Sequence, residues 1–182
     1  MTERDGSFRR LVEMVKEQQD TPKGSRRGRP PKNRVPTTGF YAVHLHSRMK
    51  ELAKAQSEAS VDYISTSDLY NDAARQLISD LHDLLGDEIQ LPAGVMSIPG
   101  ILGLRELVDR PVLTPIGELE FHNAKQHRTT AYFDQPVWDA LMELSLRFGL
   151  RWRRAVNLYR LVELSAAWYL AGLEVEPQEQ QT

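Results

Sequence analysis

The strongest constraint on the fold is a repeated order of elements, in which a short strand is followed by two helices. The clearer copy begins at residues 128–133, where β-branched and aromatic side chains predict a strand. Asp134 is a typical N-cap, and Pro136 suits the first turn of a helix that should end near Gly149. A single short strand has no ladder of hydrogen bonds, so this unit needs a partner.

A second helix is predicted over residues 152–170, where apolar side chains occupy more of the surface than a helix with one covered face requires. The other copy lies upstream, with a strand over residues 40–45 and a helix through Met49 and Leu52. Ser65 and Asp68 then predict a capping box for a second helix that ends at Gly86. We expect equivalent strand positions to be 88 residues apart (133 − 45, from Phe133 and Leu45). The turn between the two helices should be about two residues longer in the first copy.

This order of elements resembles the ribbon-helix-helix family, which includes the methionine and Arc repressors. The tandem arrangement is similar to plasmid-transfer regulators in which both halves come from one chain. The resemblance implies a mainly α fold with a short antiparallel β ribbon that enters the major groove of double-stranded DNA, and second-helix N-termini that bind phosphates. It leaves open whether the strands pair within one chain or between the chains of a homodimer.

Alternation along each strand predicts which side chains face the DNA, although a slip of one residue would exchange the two faces. The first copy should turn Tyr41, Val43 and Leu45 inward, and the second should turn Thr129, Ala131 and Phe133 inward. The outward positions, which are the predicted base-reading residues, are Phe40, Ala42, His44, Arg128, Thr130 and Tyr132. Arg128 is the main candidate, because a guanidinium can donate two hydrogen bonds to guanine.

The predicted phosphate contacts lie where each second helix begins. These residues are Ser65, Thr66, Ser67, Arg151, Arg153 and Arg154. Positive side chains at a helix N-terminus oppose the helix dipole, so the three arginines should have an anion or a carboxylate nearby. The alternative is a solvated helix start.

A basic segment precedes the first copy: residues 21–36 hold six Lys or Arg and no acid, whereas residues 37–182 hold 13 basic and 20 acidic residues, a balance of −7. Its core, residues 27–30, resembles an AT-hook, an arm that lies in the narrow minor groove of AT-rich DNA. The predicted contacts in this arm are Arg26, Arg27, Gly28, Arg29, Pro30, Lys32 and Arg34. A solvated basic tail and a nuclear import signal are the alternatives.

These features divide the chain into five parts. They are a flexible basic arm at 1–36 with a weak amphipathic helix at 7–19, copy one at 37–86, a connecting insert at 87–127, copy two at 128–173 and a disordered tail at 174–182. Within the insert, a short helix is predicted at 101–110 and a strand or hairpin at 112–121.

Enzyme chemistry is not expected. The chain has no cysteine, which excludes thiolate zinc sites, and it shows no phosphate-binding glycine loop or nucleophile elbow. His44 and His46 are predicted to share a strand face as exposed side chains rather than metal ligands. We expect no cofactor, no metal, no small-molecule substrate and no membrane partner, and a cytoplasmic, nucleoid-associated location.

The expected function is a sequence-specific transcriptional regulator of a bacterial plasmid or mobile element, active in conjugation or transfer, as a homodimer or an intramolecular pseudo-dimer. The assignment to a plasmid or mobile element rests on analogy with the family. The alternatives are an architectural nucleoid, partition or relaxosome protein, and an antitoxin-like module that binds a protein.

Overall fold

The computed structural model describes residues 3–17, 34–86, 97–105, 107, 112–113, 125–152 and 157–173. Within these residues the chain is mainly helical and has one two-stranded antiparallel sheet. The elements are α1 (Glu3–Glu17), β1 (Arg34–Ala42), α2 (Val43–Ala59), α3 (Thr66–Leu85), α4 (Ile98–Gly103), β2 (Gln126–Asp134), α5 (Gln135–Trp152) and α6 (Leu158–Ala171).

The predicted order of strand, helix and helix occurs twice, as β1–α2–α3 and as β2–α5–α6. Gln126 begins β2 92 residues after Arg34 begins β1 (126 − 34), and Leu158 begins α6 92 residues after Thr66 begins α3 (158 − 66). The expected offset of 88 was therefore wrong. The two-residue difference between the inter-helix turns was also wrong, because α5 is one residue longer than α2 (18 against 17) and the connection after it is one residue shorter.

The two strands pair with each other within the chain, which is one of the two pairings that the sequence left open. Arg34 lies opposite Asp134 at one end of the ribbon, Thr38 opposite Thr130 at its centre and Ala42 opposite Gln126 at the other end. Thr130 is also the residue 92 positions after Thr38 (130 − 38). The two copies are therefore related by a pseudo-two-fold axis that passes between these threonines.

The first strand was predicted to begin six residues too late and to end three residues too late, at 40–45 instead of Arg34–Ala42. Thr37 and Thr38 belong to β1, whereas Val43, His44 and Leu45 form the first turn of α2. Pro36 obscured the start of the strand, but it is tolerated because each strand of a two-stranded sheet has a free edge. Strand β2 (Gln126–Asp134) extends beyond the predicted 128–133 at both ends.

The remaining helix boundaries also need correction. The first helix of copy two continues past Gly149 to Trp152, and the second begins at Leu158 after the N-cap Asn157. Helix α4 ends at Gly103, where a helix over 101–110 was predicted. The end of α3 before Gly86, which has a φ of 61°, was predicted correctly.

Helix α1 is part of the hydrophobic core, so residues 3–17 do not belong to a flexible arm. Phe8, Val12 and Val15 are buried, and α1 packs against α3 and α5. Lys16 Nζ lies 2.8 Å from Asp83 Oδ1, near the end of α3. Of the predicted arm, residues 18–33 lie outside the described residues, as does the tail from 174 onward.

Part of the insert also packs on the core, because α4 contacts α6. Arg105, which follows α4, is buried, donates to the carbonyl of Trp168 and lies over the indole ring. The indole Nε1 of Trp168 donates to Asp80 Oδ2 of α3 at 2.8 Å. Through these contacts the insert packs against α6 and, through Trp168, is connected to α3. The predicted strand or hairpin at 112–121 lies outside the described residues except for 112 and 113.

The packing of α1 leads to a stability prediction. Phe8→Ala should lower the free energy of unfolding by about 3 kcal/mol, because it leaves a cavity in the core. Met14→Ala, on the exposed side of the same helix, should change it by about 0.5 kcal/mol or less. Urea unfolding measures both, and equal effects of the two substitutions would show that α1 is not packed in this way.

Candidate nucleic-acid interface

One face of the β1–β2 ribbon is open to solvent and the other is covered by helices. Thr37, Gly39, Tyr41, Ala131 and Phe133 are buried on the covered face. The open face, which we call the outer ribbon face, consists of Pro36, Thr38, Phe40, Arg128, Thr130 and Tyr132. The alternation predicted for β2 agrees with this burial pattern, and so does the outward position of Phe40, which is 58% exposed.

Three cross-strand pairs form the outer ribbon face. Pro36 lies opposite Tyr132, Thr38 opposite Thr130, and Phe40 opposite Arg128. The hydroxyl oxygens of the two threonines are 2.8 Å apart, within hydrogen-bond distance. The face thus combines one guanidinium, three hydroxyl groups and apolar surface, which are the groups that can bond base edges or contact a thymine methyl.

Two predicted members of this face are elsewhere. Ala42 ends β1 and is only 8% exposed, because its end of the strand is covered by α6. His44 lies in the first turn of α2 and is half-buried. His46 is also on α2 rather than on a strand, and its Nδ1 lies 3.1 Å from the Tyr70 hydroxyl. Burial, with the charge of Lys50 and the neighbouring His127, lowers the pKa of His46.

Helix α6 supports the end of the ribbon that carries Phe40 and Arg128. Glu163 Oε1 accepts a hydrogen bond of 2.7 Å from the backbone N–H of Ala42. The ring of Tyr159 lies directly beneath Gly39, where an added Cβ would be 2.4 Å from Tyr159 Cδ1. Glycine is required at this position because the aromatic ring occupies the space of a side chain.

Helix α3 supports the opposite end, which carries Pro36 and Tyr132. Asn71 Nδ2 donates to the Tyr132 carbonyl at 2.8 Å, and Asn71 Oδ1 accepts from the Asp134 N–H at 2.8 Å. Asn71 and Glu163 are 92 residues apart, as are the backbone N–H groups of Ala42 and Asp134 that they bind (163 − 71 and 134 − 42). The two copies therefore hold their strands at equivalent positions with different side chains.

Arg34, predicted to contact DNA from the arm, is instead the first residue of β1 and is engaged by two carboxylates. Its Nε lies 2.7 Å from Asp134 Oδ1 and its Nη2 lies 2.6 Å from Asp68 Oδ1. Arg75, which is buried, donates to the other Asp134 oxygen. Burial alone would lower the pKa of Arg34, but Asp68 and Asp134 outweigh it and the pKa is raised. Its charge is therefore compensated inside the protein.

The N-terminus of α3 already holds an anion, which argues against a phosphate at this helix. Ser65 and Asp68 form the predicted capping box, in which Asp68 Oδ2 accepts from the Ser65 N–H at 2.8 Å. Burial would raise the pKa of Asp68, but its bonds from Ser65 and the charge of Arg34 lower it overall. Ser67 Oγ accepts from the Tyr132 N–H, so this hydroxyl is engaged with β2, and Thr66 is half-buried beside it.

The N-terminus of α6 is different. Its N-cap is Asn157, whose side chain accepts from the Tyr159 N–H at 2.9 Å, and its first turn has no acidic residue. Arg160 in that turn lies 3.2 Å from Glu163. Of the predicted cluster, Arg151 falls in α5 but its side chain is not described, while Arg153 and Arg154 lie outside the described residues. The arm residues from Arg26 to Lys32 are also outside them.

No protein-family model, curated protein or solved structure matches the chain. Among the residues that the structure describes, no three His, Asp or Glu side chains are grouped so that they could hold a metal ion. None of the described helices is long and apolar enough to cross a membrane.

Sequence reasoning missed the residues that hold the ribbon from beneath. Asn71, Arg75 and Glu163 are buried polar side chains on otherwise apolar helices. That pattern is a usable signal, because a polar group is rarely buried without a hydrogen-bond partner. Their partners, however, are strand residues far away in the sequence.

The lowered pKa of Asp68 predicts a pH-dependent effect. Asp68→Asn should reduce the free energy of unfolding by about 2 kcal/mol near neutral pH, because it removes a charged hydrogen-bond acceptor from Ser65 and Arg34. A carboxyl whose pKa is lowered by folding stabilises the protein above its unfolded pKa, and this contribution is lost as the pH falls through the folded value. The difference between the variant and the wild type should therefore shrink below about pH 4.

Urea unfolding at a series of pH values measures this difference. Glu58→Gln is the matched control, since Glu58 is exposed in a surface pair with Lys54, and it should show little effect at any pH. A cost of Asp68→Asn that does not decrease in acid would contradict the assignment.

Proposed function

We propose that this protein binds double-stranded DNA sequence-specifically, with the outer ribbon face in the major groove. The observation that carries the proposal is the alternation across the paired strands, which exposes Arg128, Thr130 and Thr38 on one face while the other face is buried. A two-stranded antiparallel ribbon fits the major groove, where every base pair presents a distinct pattern of hydrogen-bonding groups.

We also propose that the chain is a tandem ribbon-helix-helix protein in which one chain supplies both halves. The common 92-residue offset, the pseudo-two-fold axis between Thr38 and Thr130, and the second helices α3 and α6 beneath the ribbon support this proposal. In the family that the sequence resembles, this arrangement is formed by two chains or, in tandem members, by one.

Within the ribbon, Arg128 is assigned to base readout because its side chain is exposed and the residue opposite it on the face, Phe40, carries no charge. Thr38 and Thr130 would contact the centre of the site. Tyr132 is half-buried, and its exposed part would contact the DNA site.

The basic arm is proposed to supply affinity that does not depend on sequence. Residues 37–182 carry a net charge of −7, which repels phosphates, whereas Arg26, Arg27 and Arg29 lie in a segment without acids. The arm joins the ribbon at Arg34, so an AT-hook-like contact would fall in the minor groove next to that end. Arg34 is left out of the contact because it is bound to Asp68 and Asp134.

The biological role that follows is a transcriptional regulator of plasmid or mobile-element genes, and an architectural DNA-binding protein is the alternative. A DNase footprint on the neighbouring genes, with binding to random DNA measured at the same salt concentration, separates them. A regulator gives a protected promoter site and a large ratio of the two affinities, while an architectural protein gives a ratio near one.

Arg128→Ala should weaken binding to a selected DNA site by about tenfold to a hundredfold and relax the preference at one base pair. The control is Arg9→Ala, on α1, which packs on the end of α3 away from the ribbon. Mobility shift and selection from random duplexes measure affinity and preference. An unchanged preference would contradict the assignment of Arg128.

Replacing Arg26, Arg27 and Arg29 together by Gln should lower affinity for all duplexes alike and reduce the slope of log K against log salt by about 2 to 3, since each phosphate contact contributes about 0.9. The base preference should remain. The control is Arg9→Gln with Arg10→Gln, which removes exposed charge from α1. An unchanged slope would show that the arm does not contact phosphate.

A further inference from the structure

We infer that this chain binds its DNA site in one orientation only, because the two ends of the outer ribbon face differ in chemistry. The inference rests on the proposed function. An intertwined homodimer has identical ends and reads a palindrome equally well in both directions. Here a single chain supplies both strands, so each residue at one end of the ribbon has its equivalent at the other end, 92 positions away in the sequence.

The centre of the outer ribbon face is two-fold symmetric, and the ends are not. Thr38 and Thr130 are equivalent and lie opposite each other, and the aromatic residues Phe40 and Tyr132 are also equivalent (132 − 40). Arg128, however, is equivalent to Pro36 (128 − 36), which has no side-chain donor. The face therefore has one guanidinium, at the end where Phe40 lies opposite it.

The N-termini of the supporting helices differ as well. Beside the Pro36 end, the third residue of α3 is Asp68, whose carboxylate is held at the helix N-terminus by Ser65. Beside the Arg128 end, the equivalent residue of α6 is Arg160 (160 − 68). Asp68 is paired with Arg34 and Arg160 with Glu163, so we assign the direction to Arg128 and Pro36 on the outer ribbon face.

A reversed complex would place Pro36 against the base pair that Arg128 contacts in the forward complex. The loss of a bidentate arginine contact costs about tenfold to a hundredfold in affinity, and the reversed complex should be populated at about that ratio or less. The target site should therefore have a two-fold-symmetric centre and a base pair read by Arg128 on one side only.

The absence of cysteine from the chain makes orientation directly measurable. Val43 and Gln135 are exposed first residues of α2 and α5, are 92 positions apart (135 − 43) and lie at opposite ends of the ribbon. Val43→Cys and Gln135→Cys, each coupled to an iron–EDTA cleavage reagent in the full chain, are bound to a duplex selected from a random-sequence pool.

We expect each labelled variant to cleave one flank of the selected duplex, and the two variants to cleave opposite flanks. Equal cleavage of both flanks by each variant would overturn the inference while leaving specific binding intact. Failure to enrich any duplex would contradict the proposed function itself, and the inference with it, so the two failures are distinguishable.

Adding Arg128→Ala to both labelled variants tests the cause of the orientation. The ratio of cleavage at the two flanks should fall by about tenfold or more, because the guanidinium no longer separates the forward and reversed complexes. A control with Arg9→Ala should leave the ratio unchanged. An unaltered one-sided pattern with Arg128→Ala would overturn the role of Arg128 in setting direction.

Discussion

The pairing of β1 with β2 is the interaction on which the rest of the structure depends. Each strand has only nine residues and, in the described residues, only the other as a partner, so neither would have a hydrogen-bond ladder alone. Their pairing brings the two copies together and places α3 and α6 against each other beneath one face. The buried face closes the core, and the opposite face is open to solvent.

The two ends of the ribbon are held by different chemistry. At one end, Arg34 and Arg75 are neutralised by Asp68 and Asp134, and Asn71 binds the backbone of β2. At the other end, Glu163 of α6 accepts from the backbone N–H of Ala42, and the ring of Tyr159 packs beneath Gly39. Buried charges of this kind need every hydrogen-bonding partner in place, since removal of one leaves another uncompensated. The two halves therefore share a backbone arrangement but use different supporting side chains.

Much of the fold was predictable from local pattern. The repeated order of elements, the capping box at Ser65 and Asp68, the end of α3 at Gly86 and the two faces of β2 depend on neighbours in sequence. The start of β1 was misplaced because Pro36 is a poor strand residue in general, and the core position of α1 depends on contacts with distant helices. The Arg34 network was not predictable for the same reason: a basic residue beside a basic segment gives no local sign of carboxylates 34 and 100 residues away.

Intramolecular pairing has a consequence for how this protein forms and changes. A ribbon made by two chains assembles only when the chains meet, so its folded fraction depends on protein concentration. Here the partner strand is tethered 92 residues away, and closure depends on the loop between them rather than on dilution. The same tether uncouples the halves genetically: a single codon change alters one strand, whereas in a homodimer it alters both. Each half of the ribbon can therefore acquire its own surface without a matching change in the other.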